Sequence, residues 1–153
     1  FTAQDTSKDM LAIAKQAFEE HGIAKRVNVI EGELDKLSTK ADSALCLLVM
    51  HFLKDDGSKK QLLKNIKANL NKGANLFISD LMKPETDFER EAQITVCADL
   101  GLSDAGQAYT AQNLESEFYP LDRMRLSELL NECKYGIPKL YFKALGFSGY
   151  VVK

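Results

Sequence analysis

The sequence predicts an α/β fold, a mostly parallel sheet flanked by helices and ending in an antiparallel hairpin. Three observations predict it. Short apolar runs alternate with stretches of helical period along most of the chain, and that rhythm with short connections implies right-handed βαβ crossovers. The run SALCLLVMHFL, from Ser43 to Leu53, is almost continuous hydrophobe, as a parallel strand covered on both faces should be. The tail PKLYFKALGFSGYVVK reads as two strands joined by a tight connection near Gly146, a hairpin closing one sheet edge.

The chain opens FTAQD, a short strand ending in an acid, Asp5. Thr6 or Ser7 caps the helix that follows, with Asp9 in its first turn, where a negative charge meets the helix dipole favourably. Met10, Ile13, Ala14, Ala17 and Phe18 keep helical spacing, and Gly22 supplies the stop. Val27, Val29 and Ile30 make a second strand, and Glu31-Gly32-Glu33 turns the chain away. After the run at 43–53, Asp55-Asp56-Gly57-Ser58 breaks the strand and caps a helix. Its apolar stripe is Leu62, Leu63, Ile66 and Leu70, with lysines on the other side. Asn71-Lys72-Gly73 ends it, and ANLFISD gives another buried strand with Asp80 at its carboxyl end. Helical spacing returns from Glu85 to about Gly101 through Phe88, Ala92, Val96 and Leu100. The polar SDAGQAYTAQN segment has no clear period and is expected to be a loop. A last helix is predicted from Leu121 to Cys133, with Met124, Leu129 and Leu130 inward.

A length of 153 residues, 45% apolar and 27% charged, predicts one domain spanning 1–153 with a substantial core. The 22 acidic and 20 basic residues leave a net charge of −2, which argues against a nucleic-acid footprint spread over the whole chain. Cys46, Cys97 and Cys133 lie far apart, with no CxxC pair or Cys/His cluster. No metal site is expected, and buried free thiols in a reducing cytoplasm are. No signal peptide is visible and no apolar run approaches a membrane span, so a cytoplasmic protein with no membrane partner is expected.

Four stretches carry a resemblance. Asp5-Thr6-Ser7-Lys8-Asp9-Met10-Leu11, VIEGEL at 29–34, LCLLVMHFL at 45–53 and NKGANLFISDL at 71–81 stand in order and at the spacing of the class I S-adenosylmethionine-dependent methyltransferases. With the terminal hairpin, the chain resembles that family over essentially its whole length. The fold implied is the Rossmann-like methyltransferase fold. Among subfamilies it looks most like the group holding the wobble-uridine carboxymethylating enzymes and their small-molecule relatives. The activity implied is methyl transfer from S-adenosylmethionine to a small molecule or a tRNA nucleoside.

The resemblance also implies a site. Asp5, with Thr6 beside it, would hold the ribose hydroxyls, since a carboxylate has acceptors only and suits a diol. Gly32, Glu33 and Leu34 would sit under the adenine, Glu33 accepting from its exocyclic amine. Val49, Met50 and His51 end a strand at the carboxyl-end crevice where α/β ligands bind. Each has a plainer reading. Asp5 can serve the helix dipole, 32–34 can be a polar turn, and His51, a candidate base, can be a packing residue. Asp80 could face substrate or cap a turn. Asp104, Tyr109 and the acids near Glu115 could form a lid or a solvated loop. Tyr119, Arg123 and Arg125 could hold an anionic substrate or simply cover a helix surface.

Departures matter as well. Asn71-Lys72-Gly73-Ala74 replaces the family's Pro-Gly-Gly, and Glu33 stands where aspartate is common. The family's first strand and glycine-rich turn are missing from the sequence. That strand is central in the family, so without it the sheet should split and leave unpaired backbone groups, each costing about 1–3 kcal/mol. Residues upstream of Phe1 are expected to fill the gap; otherwise a second copy pairs there as a homodimer or the strands re-pair directly. Two other functions compete: a nicotinamide-dependent oxidoreductase, which would need GxGxxG upstream, and a non-catalytic module with a methyltransferase-like fold.

Overall fold

The computed structural model describes residues 1–35, 37–99, 101–113 and 118–153. These form two compact units, Phe1–Leu37 and Ser38–Lys153. The α/β class with a terminal hairpin is as expected. The strands form two sheets rather than one, a pair in the first unit and four strands in the second.

In the first unit, β1 (Thr2–Asp5) and β2 (Asn28–Glu31) pair in parallel with Asp5 opposite Glu31. Both carboxyl ends therefore lie side by side. Between them runs α1 (Lys8–Glu20), capped by Ser7, whose Oγ accepts the Met10 amide at 3.2 Å. Gly22 stops it with φ 67°, and its amide reaches the Glu19 carbonyl at 2.9 Å, the left-handed ending glycine permits. The buried face is Leu11 with half-buried Ala14, Ala17 and Phe18, whereas Met10 and Ile13 are exposed. Periodicity gave the helix but not its phase, which only the packing partner sets.

The second unit contains β3 (Ala41–Leu47), α2 (Ser58–Ala68), β4 (Leu70–Leu81), α3 (Asp87–Asp99), α4 (Asp104–Asn113), α5 (Arg123–Glu132), β5 (Lys139–Ala144) and β6 (Phe147–Val152). The sheet order is β3-β4-β6-β5. β3 and β4 are parallel, and β6 runs antiparallel to both β4 and β5. The core brings together Leu63 and Ile66 of α2, Leu126, Leu129 and Leu130 of α5, and Leu76 and Ile78 of β4. Tyr135 closes it, donating its hydroxyl to the Leu63 carbonyl at 3.1 Å.

Several expectations are corrected here. The 43–53 run is not one strand buried on both faces. β3 ends at Leu47, a 3₁₀ turn spans Met50–Phe52, and Leu45 and Leu47 are 69% and 49% exposed while Cys46 is buried. Alternate strand residues face opposite sides, and the side of β3 opposite Cys46, carrying Leu45 and Leu47, is the exposed one. The segment expected as a loop is α4. Ser103 starts it, Oγ accepting the Gly106 amide at 3.2 Å, and three alanines in 104–113 supply propensity where periodicity is lacking. Along α3, Phe88 is exposed and Gln93 buried, so the predicted stripe is not the packed face; its last member, Leu100, lies outside the described residues. Along α5, Leu126 points inward and Met124 is 73% exposed. Along α2, one lysine, Lys59, is fully buried. Cys46 and Cys133 are free, buried thiols as expected; the Cys97 side chain lies outside the described residues. No helix among the described residues is long and apolar enough to cross a membrane.

Leu63 is completely buried between these layers. Leu63→Ala should lower unfolding stability by about 2–5 kcal/mol through lost burial and a residual cavity. Urea denaturation should show a lower midpoint with an unchanged slope.

Candidate functional site

In an α/β sheet the carboxyl ends of parallel strands are where ligands gather, and the candidate residues are there. In the first unit, Asp5 Oδ1 accepts the Ser7 amide at 2.8 Å, and the Asp5 carbonyl accepts the Gly32 amide at 3.0 Å. Gln4 Nε2 donates to the Gly32 carbonyl. These bonds bring Asp5, Thr6, Gly32, Glu33 and Leu34 into one cluster at the ends of β1 and β2. Gly32 has φ 118°, and a Cβ built there would meet nothing within 4 Å. The turn therefore needs glycine for its backbone, and the space above it is open.

This arrangement fits an adenosine cofactor. Asp5 is half-buried, and its second carboxylate oxygen accepts nothing among the described residues, so acceptor capacity remains for a diol. Glu33 is exposed and Leu34 half-buried beside the open turn.

The second unit holds the other cluster. After Leu47 the chain leaves the sheet through Leu48, at φ 54°, whose amide still reaches the Ser79 carbonyl at 2.8 Å. The exposed Val49 then starts the 3₁₀ turn. That turn is anchored by Asp80 of β4, 3% exposed. Its Oδ2 accepts the amides of Met50 at 2.6 Å and His51 at 3.2 Å, and its Oδ1 accepts the Leu81 amide at 2.8 Å and bonds His51 Nδ1. A carboxylate only accepts, so Nδ1 donates. In the neutral ring Nε2 then carries the lone pair, the form a general base requires.

Packing fixes the ring. The Phe52 and Phe118 centroids lie 4.0 and 5.4 Å from that of His51. The His51 carbonyl accepts the Tyr119 amide at 2.7 Å. Lys59 donates Nζ to the Met50 carbonyl, and to the Tyr119 carbonyl at 2.8 Å. Burial pushes the Lys59 ammonium pKa down, while the Asp80 and Asp55 carboxylates push it back up. Burial, and then the Asp80 charge, raise the Cys46 thiol to about 12, so Cys46 is an inert neighbour.

Beside this cluster opens a cavity of about 600 Å³, walled by 82–87 and 118–122 with Asp55, Arg90 and Arg125. Its size suits a small organic molecule. Phe118 lines it while packing on His51. Met82 and Leu121 line both the cavity and a small hollow against His51 and Asp80. The wall is tied down at several points: Met82 bridges Leu121, the Lys83 amide meets the Leu121 carbonyl at 3.0 Å, and Arg125 grips Asp55 in two bonds of 2.8 and 3.2 Å. The Arg125 hydrogen bond holds the Asp55 carboxyl below the usual carboxylate range.

The structure thus divides the expected anion-binding group. Tyr119 lines the large cavity, Arg123 is exposed and lines a separate cavity of about 180 Å³, and Arg125 is committed to Asp55 and Glu128. Asp104 is exposed at the start of α4 and Tyr109 is exposed; Glu115 lies outside the described residues. Sequence reasoning missed Lys59 and the Asp55–Arg125 pair. A signal for Lys59 was present: positions 59, 63 and 66 share one helical stripe, and a lysine on an apolar stripe is a buried-charge candidate.

No known sequence family matches the chain, and no curated protein matches it. Solved structures do. The chain is similar to an O-methyltransferase family 2 protein from Planctomyces limnophilus in complex with apigenin (TM-score 0.71, 16% identity, 99% of this chain and 42% of that one). It is similar to mitomycin 7-O-methyltransferase (TM-score 0.72, 14% identity, 99% and 41%). It is also similar to the N,N-8-amino-8-demethyl-D-riboflavin dimethyltransferase from Streptomyces davawensis (TM-score 0.68, 18% identity, 99% and 41%). The chain therefore has the fold of these methyltransferases and spans about two fifths of their length.

Because Asp80 accepts three backbone amides and the His51 ring, Asp80→Asn would turn one acceptor atom into a donor facing donors. It should destabilise the protein by at least about 1–3 kcal/mol despite equal volume. Urea unfolding of the two proteins measures it.

Proposed function

We propose that this protein works as an S-adenosylmethionine-dependent methyltransferase on a small-molecule acceptor. The observation that carries the reading is a histidine oriented by a buried carboxylate, beside an organic-sized cavity, at the strand ends of a methyltransferase fold. Small-molecule acceptors in the names of the neighbours, and a cavity walled by aromatic, proline and charged residues, favour that acceptor class over a tRNA nucleoside.

When bound, the cofactor supplies a methyl group on a sulfonium. Asp5 and Thr6 would hold its ribose, and Gly32, Glu33 and Leu34 would face its adenine; in the second unit, Val49 would wall the crevice at the end of β3. Tyr119 takes the acceptor side of the site, with Arg123 at its margin. Much of the acceleration comes from alignment, which can contribute roughly 7–11 kcal/mol in favourable systems. A hydroxyl or amine acceptor also has to lose a proton. His51 takes it at Nε2, and Asp80 stabilises the imidazolium through Nδ1.

Isothermal titration with S-adenosylmethionine should give a micromolar dissociation constant, and Asp5→Ala should weaken it about tenfold, near 1.4 kcal/mol. NAD should give no heat. Unchanged affinity in Asp5→Ala, or binding of NAD instead, would overturn the reading. Methyl transfer to tRNA but to no small hydroxyl or amine compound would move the acceptor class.

A further inference from the structure

The buried cluster at the end of β3 contains a cation that the methyl-transfer reading does not use. Lys59 is 0% exposed, the largest side chain buried so completely among the described residues. A buried ammonium is expensive unless something compensates it. Its ammonium donates to two carbonyls, of Met50 and Tyr119. Met50 is also the residue whose amide goes to Asp80. One residue, Met50, is thus held from both sides, by a buried anion at its amide and a buried cation at its carbonyl. Among the described residues, the titratable groups around the cluster are Asp80 from β4, His51 from the 3₁₀ turn, Asp55 from the loop before α2, and Cys46 from β3. Asp55 is largely neutralised by Arg125. Among the described residues, the side chain that pairs directly with Asp80 is His51, and Lys59 is the cation that feels its charge.

A buried carboxylate and a neighbouring imidazole without further charge favour the imidazolium, because the proton then neutralises the site. A second positive charge removes that incentive. We propose that Lys59 is a positioning residue for the base: its ammonium is the standing counter-charge to Asp80 and keeps the His51 ring uncharged, with the proton on Nδ1 and the lone pair at Nε2. The same side chain fastens 118–121, which carries Phe118 and Tyr119, to the His51 turn. Lys59 therefore sets both the charge state of the ring and the position of the cavity wall against it.

The inference rests on reading His51 as the base, and its test needs neither cofactor nor acceptor. The chain has two histidines, and His21 is exposed in the other unit, so it serves as an internal reference. Carbon–proton NMR titration should show the His51 midpoint moving up by about one pH unit in Lys59→Met, with His21 unmoved and Lys59→Arg restoring the original midpoint. A folded Lys59→Met with an unmoved His51 midpoint overturns the proposal. If Lys59→Met does not fold, the wild-type protein decides by side-chain nitrogen NMR. A charged Lys59 beside a neutral His51 at pH 7 supports the proposal, and a neutral Lys59 or a charged His51 overturns it. Loss of the methyl-transfer reading, for instance wild-type activity in His51→Ala, would leave this electrostatic coupling in place, so the two failures are distinguishable.

Discussion

The Asp80 carboxylate, one residue from the end of β4, accepts the amides of Met50, His51 and Leu81, and everything at that end of the second sheet takes its position from this. A carboxylate that loses water must recover comparable hydrogen bonds, or the charge is too expensive to bury. Asp80 recovers them from groups that are themselves orphans. The amides of Met50 and His51 have left the β3 ladder and have no partner inside their short 3₁₀ turn. Charge and backbone solve each other's problem, and the direction of the His51 ring follows from the solution.

The constraint spreads outward through backbone bonds rather than side-chain packing alone. The His51 carbonyl fixes Tyr119, the Met50 carbonyl fixes Lys59, and Lys59 returns to Tyr119. The segment 118–122 is held against β4 by the Met82–Leu121 bridge, and Arg125 at the start of α5 is held by Asp55 just ahead of α2. The cavity wall is therefore a stretch without regular structure that is nevertheless tied to rigid elements at successive residues. That combination places functional side chains well.

Much of the architecture was legible because it depends on local signals. The Ser7 cap, the Gly22 stop, the β2 run and the hairpin near Gly146 each rest on a few neighbouring residues. What was not legible depends on partners distant in sequence. The phase of α1, the inward face of α5 and the exposure of Leu45 and Leu47 are set by what lies against them. α4 escaped because its propensity is real but its period is weak. In the site, Asp80 and His51 were visible as strand-end residues, yet their bond spans 29 positions and no local pattern reports it. Arg125 looked available in the sequence because Asp55, 70 positions away, gives no sign that it will take the guanidinium.

Leu48 has a consequence of its own. It is a branched, apolar residue at φ 54°, a region where side chains other than glycine are strained by roughly 1 kcal/mol. Glycine would relax that strain and also widen the choices open to the chain as it leaves the strand, loosening the aim of the next three residues. This joint is thus a place where a more stable variant and a better aligned one part company. Selection for thermostability alone, applied to position 48, would be expected to drift toward a protein that folds better and orients its histidine worse.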